Sequence, residues 1–102
     1  MCKKFSGKLV GAFTSSSLQA GGRESTALTF LANTSHLGMI YVPLGLSNDL
    51  LYLNNELCGA NVYGAGTVTE LDGRRGPTNR ELEIAECQVR LCFISREVIL
   101  PE

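Results

Sequence analysis

Two short apolar runs on either side of one helix-like segment constrain the fold more than any other feature of the sequence. The runs cover residues 7–15 (GKLVGAFTS) and 39–44 (MIYVPL), and glycine, serine or proline bounds each of them. Runs of this length and composition predict strands that are buried on both faces. A strand, a helix and a second strand in succession predict a parallel pair with a right-handed crossover.

The segment between the two runs divides into a loop and a helix. Residues 15–22 are small and rich in hydroxyl groups, and they end in two glycines. Residues 23–37 carry apolar side chains at spacings of one to four, which predicts an amphipathic helix with one buried face. Gly38 follows, and we expect the helix to end there because a residue without Cβ enters the left-handed region at low cost.

A stretch without periodicity separates the second run from a final helix. Residues 45–77 contain six of the eleven glycines, and we expect a long irregular connection with one short apolar turn at residues 50–53. A loop of this length is usually functional. Thr78 and Glu81 have the spacing of a capping box, which predicts a helix over residues 79–97. Its expected inward stripe consists of Leu82, Ala85, Val89, Cys92 and Phe93.

The predicted order is therefore strand, helix, strand, long loop and helix, which is typical of an α/β fold. A sheet of two parallel strands leaves its outer edges unpaired and parts of both faces uncovered. We therefore expect residues 1–102 to form a single partial domain, one half of a doubly wound parallel sheet.

The charge balance excludes some classes of partner. Nine Lys and Arg against ten Asp and Glu give a net charge of -1, so no positive field attracts phosphate backbones or anionic lipids. We expect no nucleic-acid partner and no membrane association. The sequence has no run of 18 apolar residues and no recognisable leader, so we expect a cytoplasmic protein.

The four cysteines do not have the spacing of a metal site. Cys2, Cys58, Cys87 and Cys92 contain no CxxC pair, and His36 is the single histidine. We expect reduced, mostly buried thiols, no metal site and no disulfide between Cys87 and Cys92. We interpret His36 as a partly exposed cation at the helix end. No catalytic residue is identified.

The loop after the first strand is the candidate binding segment, because ligands of such folds lie outside the carboxyl ends of the strands. Hydroxyl groups, glycines and a helix N-terminus suit a planar polar ring or an anionic group. An ordinary connector fits the local chemistry equally well. Neither a GxxxxGK[ST] nor a GxGxxG pattern occurs.

Four motifs in order carry a family resemblance. They are GGREST at residues 21–26, HLGMIYVPLG at 36–45, YGAGT at 63–67 and DGRRGP at 72–77. Together they resemble the C-terminal half of the flavodoxin-like NAD(P)H:quinone oxidoreductases, the tryptophan-repressor-binding-protein family. The resemblance covers residues 7–96.

The resemblance implies a five-stranded parallel sheet that binds FMN non-covalently, with NAD(P)H as electron donor and a quinone as acceptor. It implies a cofactor contact at the helix end, where the family has histidine and this chain has Leu37. The positions assigned to the cofactor in this way are Ser15, Ser16, Ser17, Leu18, Gln19, Ala20, Gly21 and Leu37. The family's phosphate-binding loop lies outside the matched segments, so we expect weakened FMN binding, and a homo-oligomer or a partner that supplies the N-terminal half.

Two functions remain open at this point. The first is an FMN-binding quinone oxidoreductase or a fragment of one, and the second is a truncated, inactive paralogue that acts as a binding or oligomerisation module. We expect Arg74 and Arg75 to be solvated or paired with Asp72 rather than to bind a nicotinamide phosphate. Tyr63 is the candidate for a subunit contact. The remaining apolar or aromatic side chains of this region are assigned to packing or an interface: Tyr41, Leu50, Leu51, Tyr52 and Leu53.

Overall fold

The computed structural model describes residues 4–46, 49–52 and 55–99, and of Tyr52 it describes the backbone alone. Cys2 and Leu53, for which the sequence makes predictions, lie outside the described residues. The elements in chain order are β1 (Leu9–Val10), β2 (Ala12–Ser16), α1 (Arg23–His36), β3 (Ile40–Tyr41), a 3-10 turn (Asp49–Tyr52), β4 (Gly64–Val68) and α2 (Asn79–Ile99). α1 contacts β2 and β3, and α2 contacts β4 and β1.

The described strands pair in parallel, as the sequence predicts. β1 pairs with β3 through Leu9 and Ile40, and β2 pairs with β4 from Ala12 opposite Gly64 to Ser16 opposite Val68. Gly11 alone separates β1 from β2, so residues 9–16 form one extended segment with two successive partners.

Both partners lie along the same edge of this segment. The carbonyl groups of Lys8 and Val10 accept hydrogen bonds from the residues of and after β3, and the carbonyl of Ser16 accepts one from the N–H of Thr69 after β4. Alternate carbonyl groups of a strand point to the same side. The opposite edge of residues 9–16 therefore has no strand partner among the described residues.

The expectation of an irregular connection over residues 45–77 is wrong at β4. A Cβ on Gly64 would lie 1.9 Å from the carbonyl oxygen of Ala12, and a Cβ on Gly66 would lie 2.5 Å from that of Gly59. The close approach of these backbones requires glycine. Because glycine is depleted in strands, the residues that permit the pairing also hide the strand from a propensity-based prediction.

A buried glutamine bridges the two strands where the ladder is interrupted. The Nε2 of Gln88 donates to the carbonyl of Ala12 at 2.8 Å, and its Oε1 accepts from the N–H of Ala65 at 2.7 Å. Gln88 is 7% exposed. Its amide thus satisfies one buried acceptor of β2 and one buried donor of β4 at the split in the sheet.

The predicted helix boundaries are confirmed to within two residues. Gly22 and Gly38 flank α1 with φ values of 81° and 75°, the left-handed region that glycine enters at low cost. At the start of α2 the Thr78 hydroxyl accepts from the N–H of Glu81 at 3.2 Å, and the Glu81 carboxylate accepts from the N–H of Thr78 at 2.9 Å. This reciprocal pair is the predicted capping box.

The expected inward stripe of α2 is wrong. Leu82, Val89 and Phe93 are 54%, 56% and 66% exposed, whereas Glu81, Ile84 and Gln88 are buried. The prediction that the first strand is buried on both faces is also wrong, since Phe13 is 85% exposed. Both errors have one physical reason: these apolar groups border the unpaired edge of residues 9–16, and no other described element covers them.

The buried interior is small. The largest fully buried side chains are those of Leu44, Val68 and Ile84. Cys58, Cys87 and Cys92 are free and half-buried. No helix in the described part of the chain combines the length and apolar character that crossing a bilayer requires.

Candidate functional site

The loop after β2 closes on itself through Arg23, the first residue of α1. The Ser16 hydroxyl donates to the carbonyl of Leu18 at 2.6 Å. The Nη1 of Arg23 donates to both groups, at 2.5 Å to the Ser16 hydroxyl and at 3.0 Å to the Leu18 carbonyl. The Nε of Arg23 donates to the carbonyl of Gly59 at 2.9 Å, which ties the loop to the segment before β4.

Gly21 makes this tight bend possible. A Cβ at position 21 would lie 2.5 Å from the Cβ of Ser16 and 2.9 Å from the carbonyl oxygen of Leu18. The Gly21 N–H donates to that same carbonyl at 3.1 Å. As a result Ser16 points inward, whereas the side chains of Ser17, Leu18 and Gln19 at the tip of the bend are exposed.

The exposed tip forms one wall of a cleft. The cleft has a volume of about 450 Å³ and lies at the carboxyl ends of β2 and β4, within the range of about 300–1,000 Å³ that is typical of small-ligand pockets. Its lining residues are Ser17, Leu18, Gln19, Leu57, Val68, Glu70, Leu71 and Asp72. The bend is therefore open to a ligand on the side away from Arg23.

Residues 70–72, which form the opposite wall, were not predicted from the sequence. These residues follow β4, whose glycines concealed the strand, so its carboxyl end could not be recognised as a ligand-binding edge. The DGRRGP motif was the one signal at this place, and it was assigned to the family resemblance and not to a ligand contact. Glu70 has a φ of 65°, which is uncommon for a residue with a side chain, and the Gly73 N–H donates to its carbonyl at 3.1 Å.

The electrostatic character of the cleft is acidic. Glu70 and Asp72 are exposed at its rim, and none of the lining residues is a cation. Arg23 is directed away into the bend, and the main-chain N–H of Arg74 donates to the Asp72 carboxylate at 3.1 Å. The cleft thus combines apolar and hydroxyl-bearing surface with negative charge.

A buried carboxylate anchors the base of this region. The Glu81 carboxylate accepts hydrogen bonds from the N–H of Gly59 at 2.7 Å, the hydroxyl of Thr67 at 2.9 Å and the N–H of Thr78 at 2.9 Å. The Arg75 guanidinium lies 3.2 Å away. Burial by itself raises the pKa of Glu81, but the hydrogen bonds and the Arg75 charge outweigh it, so the pKa lies below its usual value.

Arg75 connects the same carboxylate to the cleft wall. Its guanidinium donates to the carbonyl of Val68 at 2.7 Å and to that of Leu57 at 2.9 Å, and both of these residues line the cleft. The expectation that Arg75 is solvated or paired with Asp72 is wrong, because the capping-box glutamate takes the guanidinium. Arg74 is exposed, as predicted.

The loop and Leu37, which the resemblance assigns to one cofactor, are not brought together within one chain. Leu37 follows the last residue of α1, and the loop precedes the first. The 14 residues of α1 separate them by about 21 Å. His36 is the exposed last residue of the helix, as predicted.

The structure describes three of the side chains that the sequence assigns to packing or an interface, and all three are half-buried. The Tyr41 hydroxyl donates to the carbonyl of Tyr63, and burial together with the neighbouring Tyr63 raises the pKa of Tyr41. Leu50 and Leu51 are half-buried.

Among the described residues, no three His, Cys, Asp or Glu side chains converge as metal ligands would.

Comparison with known proteins adds to this geometry. No family model matches the sequence. The chain is 50% identical over 82 residues to the Minor allergen Cla h 7 of Davidiella tassiana, a match that covers 78% of this chain and 40% of the relative. It is 46% identical over 84 residues to the NAD(P)H quinone oxidoreductase YCP4 of Candida albicans, with coverages of 80% and 29%.

A third relative is archaeal. The chain is 44% identical over 86 residues to an NAD(P)H dehydrogenase (quinone) of Methanosarcina mazei, a match that covers 84% of this chain and 41% of the relative. The chain thus spans less than half the length of the curated relatives that it matches.

Proposed function

Because the chain belongs to the sequence family of the NAD(P)H quinone oxidoreductases, we propose that it forms the ring-binding part of an FMN-dependent quinone reductase. In this proposal, residues 1–102 form the C-terminal half of a flavodoxin-like doubly wound domain. The cleft is then the share of the cofactor site that this half contributes. The observation that supports this most directly is the position of the cleft, at the carboxyl ends of two parallel strands.

The chemistry of the cleft suits a flat heterocycle. Leu18 and Leu71, which are 51% and 83% exposed, present apolar surface from opposite walls, as planar ring faces require. The Ser17 hydroxyl and the Gln19 amide lie beside Leu18 and offer hydrogen bonds to a ring edge. These groups would hold and orient the ring and exclude water from it.

The same cleft does not fit a phosphate. Glu70 and Asp72 are the charged groups on its lining, and both repel an anion. Arg23, the nearest cation on the bend, already donates to the Ser16 hydroxyl and to the carbonyls of Leu18 and Gly59. We therefore infer that this part of the site recognises the ring of the cofactor and not its phosphate.

The bound flavin would supply the two-electron chemistry, with NAD(P)H as donor and a quinone as acceptor. This chain's own contribution is binding and orientation by residues 17–19. Leu37 takes no part in the cleft of its own chain, because α1 holds it at the far end of the strands.

Flavin titration tests the proposal. We expect the protein to quench the fluorescence of riboflavin and of FMN with dissociation constants within about threefold of each other, because no cation on the cleft attracts the phosphate. Leu71→Asp should weaken both at least tenfold, since it replaces apolar surface that faces the ring with a charge that ring binding would desolvate. Leu28→Asp is the control, because Leu28 is 48% exposed on α1 and does not line the cleft. Absence of quenching by either flavin contradicts the proposal.

A second candidate function is a catalytically inactive module for binding or oligomerisation, which the exposed apolar stripe of α2 favours. Reduction distinguishes the two. Flavin-loaded protein that bleaches with NAD(P)H and recovers its colour with benzoquinone supports the reductase. Protein that takes up no flavin and nevertheless self-associates supports the module.

A further inference from the structure

The arginine that begins α1 has an unfavourable position in its helix. Arg23 is the first residue of α1, and the preceding Gly22 has no side chain to cap the helix. Because the first turn of a helix carries partial positive charge, a cation there opposes the helix dipole. A residue that opposes a local preference is expected where the tertiary structure requires it. The contacts of the Arg23 side chain identify that requirement.

The Arg23 guanidinium joins two segments that are distant in the sequence. Its Nη1 donates to the Ser16 hydroxyl at 2.5 Å and to the carbonyl of Leu18 at 3.0 Å, and its Nε donates to the carbonyl of Gly59 at 2.9 Å. A guanidinium group is planar and keeps its donors in fixed directions. The carbonyl groups of Leu18 and Gly59 are therefore held at a set separation.

Gly59 is a fixed point of the structure. It is buried, and a Cβ at this position would lie 2.4 Å from the Cα of Thr67 in β4. Its N–H donates to the Glu81 carboxylate at 2.7 Å. Leu57, two residues before Gly59, lines the cleft. Arg23 thus attaches the bend to the same buried frame that carries another part of the cleft lining.

Leu18 transmits this restraint to the cleft. Its carbonyl accepts hydrogen bonds from the Arg23 guanidinium, from the Ser16 hydroxyl at 2.6 Å and from the Gly21 N–H at 3.1 Å. Its side chain is 51% exposed and lines the cleft. Because the peptide group after Leu18 is planar, fixing this carbonyl also fixes the direction of the chain into Gln19.

We propose that Arg23 is a positioning residue of the cleft. It does not touch the bound ring, but it holds Leu18 at a set distance from Gly59 and so keeps residues 17–19 in the orientation that the ring requires. This inference rests on the proposed function. Without the guanidinium the bend has to be ordered at the moment of binding, and that ordering lowers the affinity although every ring-contacting side chain is still present.

Riboflavin titration tests the proposal, because the binding of an uncharged ligand does not depend on the attraction of a cation. Arg23→Met should weaken riboflavin binding at least about tenfold, since the charge-assisted hydrogen bonds to both segments are lost. Arg23→Lys keeps the charge and can reach Ser16 and Leu18, but lysine has no donor at the place of Nε, so binding should still weaken about fivefold.

Arg90→Met is the matched control for this titration. Arg90 is exposed on α2 and does not line the cleft. Its replacement removes the same charge and the same donors from a different surface. The dissociation constant for riboflavin should therefore stay within about twofold of the wild type.

Amide hydrogen exchange gives a readout that needs no ligand. The N–H of Gly21 donates to the Leu18 carbonyl at 3.1 Å, and at the other end of α1 the N–H of Gly38 donates to the Ser35 carbonyl, also at 3.1 Å. In Arg23→Met the Gly21 amide should exchange at least about tenfold faster, whereas the Gly38 amide should stay within about twofold of the wild type. A loss of global stability would accelerate both amides.

Riboflavin binding to Arg23→Met at wild-type affinity overturns the proposal, as does full recovery of affinity in Arg23→Lys or equal acceleration of the two amides. A wild type that binds no riboflavin contradicts the proposed function instead. Selective acceleration at Gly21 then supports the restraint of the bend by Arg23, and its absence overturns that restraint.

Discussion

Glu81 carries the most demanding electrostatic arrangement at the scale of single residues. Its side chain is 2% exposed and stays charged because two main-chain N–H groups, one hydroxyl and Arg75 surround it. The residue also caps α2, so the capping box that the sequence predicts does more than begin a helix. It holds Gly59 and Thr67, which flank the cleft region, at a common point.

Replacement of this carboxylate tests that role. We expect Glu81→Gln to lower the free energy of unfolding by about 3 kcal/mol at pH 7, because Arg75 loses its buried partner. The lowered pKa of Glu81 means that its contribution is complete above the usual glutamate pKa and disappears as the pH falls through the lower folded-state pKa. The difference from the wild type should therefore shrink toward pH 3, as urea unfolding at both pH values would show.

The exposed Glu83 supplies the control. Glu83→Gln should change the free energy of unfolding by less than about 0.5 kcal/mol at either pH. A destabilisation by Glu81→Gln that is the same at pH 7 and pH 3 would contradict the ionic role.

At the scale of elements, the sheet is held together at its split by a side chain. β3 and β4 occupy successive parts of one edge, and main-chain pairing is interrupted opposite Gly11. Gln88 of α2 fills this interruption with one donated and one accepted hydrogen bond. The helix thereby fixes the position of β4 relative to β2.

We expect Gln88→Met, which has a similar volume, to lower the free energy of unfolding by about 2 kcal/mol. The reason is that the Ala12 carbonyl and the Ala65 N–H would remain buried without a partner. Glu83→Met on the exposed face of the same helix should stay within about 0.5 kcal/mol of the wild type. Equal effects of the two substitutions in chemical denaturation would show that the bridge contributes nothing.

At the scale of the whole molecule, the structure is extended. The radius of gyration is 14.7 Å, whereas about 13 Å is typical of a compact domain of 100 residues. Few large side chains are fully buried, and a core of this size gives limited stability. The exposed apolar side chains of β2 and α2 account for both properties, since a closed domain would bury them.

The sequence by itself determined the local features of this protein. The glycines at 22 and 38 bound the first helix because they alone adopt left-handed backbone cheaply, and Thr78 and Glu81 begin the second because their spacing satisfies its first N–H groups. The parallel order of the strands, and the position of the loop at residues 15–21 at a carboxyl end of the sheet, follow from the alternation of elements. The helix boundaries depend on interactions within a few residues, and the parallel order depends on the succession of elements along the chain.

The tertiary structure alone decided which elements meet. β4 cannot be recognised from its own sequence. Its glycines are required because the backbone atoms of Ala12 and Gly59 lie too close for a side chain, and no local pattern shows this. The second wall of the cleft and the partner of Arg75 depend on that strand, so they stayed hidden with it. The apolar stripe of α2 shows the same limit: periodicity predicts that a face is to be covered, but only the arrangement in space shows that nothing in the described part of this chain covers it.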